Sequence, residues 1–141
     1  MSELSFDVRL GESHADAIEL VTEALKEEGF GVLTRVDIHD AFREKLGAEF
    51  RAYTILGACN PPLALQALTG RPEVGLMLPC NVTVEAEPAG GSLVRIVDPR
   101  GMMQVGSLAT DETLQQVATQ ARERLERVAA RLTEDSVIRR T

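Results

Sequence analysis

Apolar residues recur at two different spacings along the chain, and the spacing changes from one segment to the next. Over residues 4–10 every second residue is apolar, which predicts a strand with one buried face. The next segment has apolar residues at helical spacing between Ser13, a typical helix-capping residue, and Gly29, a typical helix end. A strand followed by a helix is therefore predicted for the first thirty or so residues.

The same two spacings predict the order β-α-β-α-β-α-β-β-α for the whole chain. The predicted bounds are 4–10, 14–28, 30–36, 38–46, 50–59, 60–70, 74–87, 93–98 and 110–132. This order predicts an α/β (α+β) fold with a mixed sheet of five to six strands, covered by helices and closed by a long C-terminal helix. Residues 102–108 fit either a loop or a short edge strand.

Local signals mark several element boundaries. Asn60 is expected to cap the third helix, and Pro61 in the first helical position loses no hydrogen bond. Thr110 is expected to cap the last helix. Pro79, inside the predicted strand 74–87, indicates a bulge or an edge position.

The length of 141 residues suits one hydrophobic core, so residues 1–141 are expected to form a single domain. Its core is expected at about 4–132, with a frayed tail at 133–141, where the apolar pattern fades. Aromatic residues make up 4% of the chain and Trp is absent. The core is therefore expected to consist of aliphatic side chains.

The charge balance bears on partners and location. A net charge of −7 repels a phosphate backbone, so nucleic acid is not an expected partner. The longest uncharged stretch, residues 52–70, contains Asn60-Pro61-Pro62 and is not expected to span a membrane. The first residues lack a signal-peptide pattern, and two cysteines are too few for a disulfide scaffold. The expected location is the cytoplasm.

Catalytic and cofactor motifs are absent from the sequence. It contains no nucleophile elbow, P-loop, dinucleotide-binding glycine motif or zinc-binding pattern. His14 and His39, both flanked by acidic residues, are interpreted as solvated residues near helix starts. No catalytic residue and no cofactor can therefore be named, and the sequence leaves open whether the protein is an enzyme.

The two cysteines are the main candidates for chemistry. If the third and fourth strands form a parallel unit around helix 60–70, Cys59 and Cys80 lie at similar height on neighbouring strands, close together but not disulfide-bonded. Such a pair suits a soft metal ion, a thiol redox couple, or a site shared with Met102 or Met103. The alternative interpretation is that both are small buried core residues.

Residues 52–84 carry only Arg71 and Glu73 as charges. This composition predicts a buried sheet centre, one wall of an apolar pocket, or a subunit interface. Asn81 and Asp98 are the polar groups expected at the rim of such a pocket. An aspartate that starts a turn before Pro99 is the simpler explanation for Asp98.

Several short runs resemble one known family, DUF302. These runs are Gly57-Ala58-Cys59-Asn60-Pro61, then Ala64, Leu68, Pro72 and Gly75, then Leu78-Pro79-Cys80-Asn81-Val82, and finally Val97-Asp98-Pro99. The resemblance covers about residues 12–132. It implies a small cytoplasmic α/β domain that tends to dimerise, with Cys59 and Cys80 as motif cysteines beside Asn60, Pro61 and Pro79. It implies no activity.

Three hypotheses follow. The first is a homodimeric, non-enzymatic module that binds a small molecule in a cleft formed by Cys59, Asn60, Pro79, Cys80 and Asn81, with Asp98 at its rim. The second is a redox or soft-metal-handling protein that uses the two cysteine thiols. The third is a structural or partner-binding domain without a ligand.

Overall fold

Alternating apolar residues form the strands, and apolar stripes at helical spacing form the helices. The computed structural model describes residues 4–140, with side chains for residues 4–135. The strands are β1 (Ser5–Leu10), β2 (Gly31–Asp37), β3 (Tyr53–Cys59), β4 (Cys80–Ala86) and β5 (Ser92–Val97). The helices are α1 (His14–Glu27), α2 (Ile38–Leu46), α3 (Pro61–Gly70), α4 (Pro99–Met102) and α5 (Glu112–Arg140), with 3₁₀ turns at Pro72–Met77 and Gly106–Thr110.

The described strands form one five-stranded sheet in the order β1-β5-β4-β3-β2, and each neighbouring pair is antiparallel. The predicted combination of helices with a five-stranded sheet and a long C-terminal helix is confirmed. The predicted parallel unit of the third and fourth strands is wrong, and the sheet is therefore antiparallel and not mixed. Helix α3 and the 3₁₀ turn bring the chain back to the end of β3, so β4 runs in the opposite direction.

Helices α1, α3 and α5 enclose the core on one face of the sheet. The apolar stripe of α5 is buried, and its last three members, Leu125, Val128 and Leu132, are fully enclosed. They pack with residues from α1 and from the strands of the sheet, among them Leu25, Leu56, Val82 and Ile96. Burying this apolar surface is the main force that holds the helices on the sheet.

Two predicted segments differ from the structure. The strand predicted at 74–87 begins only at Cys80, because Pro72–Met77 forms a 3₁₀ turn. In that turn Val74 is buried, whereas Leu76 is 89% exposed, so the alternation does not reflect one strand face. Residues 102–108 form no edge strand. Residues 103–105 are a short loop between α4 and the second 3₁₀ turn, which includes residues 106–108.

Caps explain where the main helices begin. Ser13 accepts a hydrogen bond from the backbone N–H of Asp16, as its position predicted. The predicted cap at Thr110 is wrong, because the Asp111 carboxylate accepts from Leu114 N–H at 2.9 Å. A carboxylate is a strong acceptor at a helix start, where it also faces the positive end of the helix dipole.

Helix α5 runs to Arg140, beyond residue 132, where the sequence predicted the end of the core. Thr141 and residues 1–3 lie outside the described residues. Within residues 4–140, none of the helices has the length and apolar character needed to cross a membrane.

Candidate functional site

A cavity of about 310 Å³ lies where the facing ends of β3 and β4 meet α3, α4 and α5. Helix α3 supplies Leu63, Ala64, Ala67 and Leu68 to its wall, and α5 supplies Leu114, Val117, Ala118 and Ala121. The remaining apolar lining comes from Phe30, Leu33, Ala58, Leu78, Pro79, Pro99 and Met103. The alanines on α3 and α5 leave space between the two helices that larger side chains would occupy.

Few polar groups reach this cavity, and none of the charged side chains of residues 4–135 lines it. The polar or weakly polar residues in the lining are Thr34, Cys59, Asn60 and Cys80. Cys59, Asn60 and Cys80 lie where β3 ends, α3 begins and β4 begins, and Thr34 lies within β2, paired with Gly57. The cavity therefore has one weakly polar end in an otherwise apolar wall.

Asn60 is placed by its role as the cap of α3. Its Oδ1 accepts a hydrogen bond from Leu63 N–H at 3.2 Å, and the residue is 8% exposed. Since the atom facing Leu63 N–H must be an acceptor, the amide Nδ2 points the other way, toward Gly29. A Cβ built at Gly29 would lie 3.0 Å from this nitrogen. Among residues 4–135, Nδ2 has no hydrogen-bond acceptor.

Cys59 and Cys80 come from adjacent antiparallel strands. The register pairs Cys80 with Ala58, the residue before Cys59. The predicted proximity is therefore confirmed, although the parallel geometry from which it was derived is wrong. Both sulfurs are free thiols. Burial, assisted by the neighbouring Cys59, raises the pKa of Cys80 to about 11, so Cys80 remains a neutral thiol near pH 7.

The structure brings together four of the six residues predicted for the site. Cys59, Asn60, Pro79 and Cys80 line the cavity, whereas Asn81 and Asp98 do not.

The two other residues have different surroundings. Asn81 is exposed and pairs with Gly57, so its side chain lies on the opposite face of β4 from that of Cys80. Asp98 caps α4 by accepting from Arg100 N–H at 2.9 Å, which is the simpler explanation already expected for it.

Thr34 and the cavity wall formed by α5 were not predicted from the sequence. Thr34 carries no motif that could have indicated its place. Ala118 and Ala121 belong to the apolar stripe of α5, where two small side chains one turn apart could have indicated unfilled space. Met103, one of the two methionines that could share a site with the cysteines, also lines the cavity.

A second polar cluster connects α1 to the β2–β3 edge. Thr54 donates to Asp37 at 2.7 Å and lies 3.0 Å from Nε2 of His14, and the two histidine rings are 5.8 Å apart. Burial, followed by the charge of His39, lowers the pKa of His14. The interpretation of these histidines as solvated is wrong, since both are partly buried and hydrogen-bonded.

The candidate site has few side chains that could bind a metal ion. Within the described part of the chain, no group of three or more His, Cys, Asp or Glu residues is arranged to hold a metal ion. Cys59 and Cys80 would supply two sulfur ligands, whereas a structural soft-metal site in a protein usually has four ligands.

Comparison with known proteins places the chain in a family. Residues 6–132 match the family described as domain of unknown function DUF302. The crystal structure of an uncharacterized conserved DUF302 protein from Bacillus stearothermophilus is similar, with 29% identity and a TM-score of 0.81, covering 93% of this chain and 99% of that chain. A search of curated proteins found no match. Because the family match spans most of the chain, this protein belongs to the DUF302 family.

Proposed function

We propose that this protein binds a small, mainly apolar molecule in the cavity between the β3–β4 ends and helices α3, α4 and α5. The observation that carries the proposal is the cavity itself, about 310 Å³ in volume and lined by apolar side chains with a few polar atoms at one end. Protein interiors are packed closely enough that voids much larger than a water molecule are few. An apolar pocket with a small number of placed polar groups is the usual form of a small-molecule site.

The chemistry of the cysteines favours binding over redox catalysis. A thiol acts as a nucleophile or a metal ligand in its thiolate form, and the raised pKa of Cys80 opposes that form. Cys80 also lies against the apolar core, where it contributes contact area. We therefore assign both cysteines to the cavity wall.

Binding of a neutral fluorescent naphthalene ketone, 6-propionyl-2-dimethylaminonaphthalene, tests the proposal. Its emission shifts to the blue when it enters an apolar site, and we expect a saturable shift with one dye per chain. The variant Ala64→Phe introduces a ring into the cavity wall and is expected to weaken binding at least about tenfold.

Gln66→Phe is the matched control, because it adds the same ring to an exposed position of the same helix. We expect this variant to bind the dye like the wild type. A dye that shows no saturable shift, or that binds equally to Ala64→Phe and the wild type, would overturn the proposal.

A further inference from the structure

We infer that the cavity selects an uncharged molecule with an apolar body and one hydrogen-bond-accepting group, such as a ketone or ester carbonyl, which Asn60 binds through its side-chain amide. The inference rests on the proposed function and specifies the class of ligand. It follows from the charge of the lining, the orientation of the Asn60 amide and the distribution of exposure around the cavity.

The absence of charge from the lining argues against an ionised ligand. An ion inside an apolar site loses its hydration and needs an opposite charge to compensate for the loss. The lining offers none. The guanidinium of Arg124 lies on the same side of Gly29 as the Asn60 amide, but it donates to the carbonyl of Glu28 at 3.3 Å and is not part of the lining.

The orientation of Asn60 determines which polar group the ligand carries. Its Oδ1 is occupied by Leu63 N–H, so only the amide hydrogens on Nδ2 are left to bind a ligand. These hydrogens can only donate. A ligand oxygen at this position would accept a hydrogen bond for which none of residues 4–135 supplies an acceptor. The complementary ligand group is therefore an acceptor.

Exposure around the cavity indicates how the molecule enters. Leu33 and Leu68 are exposed and form part of the lining, whereas Asn60 is almost fully buried. The opening therefore lies near the two leucines, and the amide lies deeper. A ligand would place its oxygen inward and keep its apolar part against α3 and the leucines.

Three probes that share one ring system test this inference by competition with the dye described above. 2-Acetylnaphthalene carries a carbonyl acceptor, 2-ethylnaphthalene has no acceptor, and 2-naphthoate is an anion. We expect the wild type to bind the ketone most tightly and the anion most weakly. One hydrogen bond to an uncharged acceptor corresponds to about a two- to tenfold preference.

The variant Asn60→Asp isolates the amide donor. Aspartate is as good a helix cap as asparagine, so α3 keeps its cap, whereas the donating NH₂ group is replaced by an acceptor. We expect the dissociation constant for the ketone to rise at least about fivefold, and that for 2-ethylnaphthalene to change less than about twofold. Asn60→Ser keeps a neutral cap and removes the amide NH₂ group, leaving a shorter hydroxyl, and serves as a second variant if Asn60→Asp unfolds.

The control Thr34→Val removes a hydroxyl from another polar residue of the lining without altering the α3 cap. It is expected to leave the ratio of ketone to ethyl binding unchanged. An equal ratio of ketone to ethyl binding in the wild type and both Asn60 variants would overturn the inference and leave the proposed function standing. Tightest binding of 2-naphthoate would do the same. Failure of all three probes to displace a bound dye would overturn the inference, and failure of the dye itself would overturn the proposed function with it.

Discussion

Cys80 pairs across the β3–β4 ladder with Ala58, the residue before Cys59, and both cysteines line the cavity. Their environments differ, since Cys80 is buried and Cys59 is partly exposed. The thiolate of a buried cysteine is poorly stabilised, because the apolar surroundings cannot solvate the charge. Cys80 is therefore expected to behave as part of the core.

We predict that Cys80 reacts slowly with thiol reagents in the native protein. With its pKa raised to about 11, only about one Cys80 in a thousand is a thiolate at pH 8. The measurement is a titration with a chromogenic disulfide at pH 8. The variant Cys59→Ser retains Cys80 alone and should react many times more slowly when native than in denaturant. A native rate for Cys59→Ser close to its denatured rate would contradict the buried environment of Cys80.

We predict that Leu125→Ala lowers the free energy of unfolding by about 2–5 kcal/mol. Leu125 is fully buried on the face of α5 that packs into the core, so the shorter side chain loses apolar contact and leaves a cavity. Urea denaturation measures the change. Glu123→Ala, at an exposed position of the same helix, is the control and should stay within about 0.5 kcal/mol of the wild type. A loss below about 1 kcal/mol for Leu125→Ala would show that this face does not pack as described.

We predict that Glu28 stabilises the fold in a pH-dependent way. The carboxylate accepts from Nε of Arg127 at 2.8 Å and from Nε of Arg131 at 3.0 Å. Burial alone would raise the pKa of Glu28, but these two hydrogen bonds outweigh burial and lower it. A carboxyl with a lowered pKa stabilises the fold above its usual pKa of 4.5, and the effect is lost as the pH falls through the lowered value.

The variant Glu28→Gln tests this dependence. At pH 7 we expect it to be about 1–2 kcal/mol less stable than the wild type, because both arginines lose a charged hydrogen-bond acceptor. The loss is limited because both arginines are about half exposed and water replaces part of these hydrogen bonds. Below the lowered pKa the two proteins should converge in urea denaturation. A difference that stays constant from pH 7 to pH 3 would show that the charge of Glu28 contributes nothing.

The predictable parts of the fold are those with a local cause. The caps at Ser13 and Asn60 depend on residues three positions apart, and the stripe on α5 depends on helical spacing, so both could be derived from the sequence. Strand direction has no such local signal, because side chains alternate equally in parallel and antiparallel pairs. The 3₁₀ turn at Pro72–Met77 was not predicted because its apolar residues occur at every second position, as they do in a strand.

The residues of the candidate site also divide into those that the sequence could predict and those that it could not. The start of α3 and the Pro79-Cys80 segment could be predicted because they carry turn and capping residues. The wall formed by Ala118 and Ala121 could not, since it depends on how α5 packs against α3, which is a long-range contact. Asn81 was grouped with Cys80 by sequence, yet successive strand residues face opposite sides of the sheet.

We predict that the chain forms a homodimer through Leu65 of α3 and Leu76 of the following 3₁₀ turn. Leu65 is 69% exposed and Leu76 is 89% exposed, and α3 contains no charged residue. Two copies that each carry a net charge of −7 repel each other, so they approach best through uncharged surfaces. Apolar side chains exposed on such a surface gain free energy when a second copy covers them.

Light scattering at micromolar concentration measures the mass, and we expect about twice the chain mass of 15.3 kDa. Leu65→Glu and Leu76→Glu place a carboxylate in the expected interface and should each give a monomer, because an unpaired charge is costly to bury. Leu46→Glu is the matched control, since Leu46 is 74% exposed but lies on α2. A wild-type monomer at every concentration would contradict the dimer, and dissociation by Leu46→Glu alone would move its interface to α2.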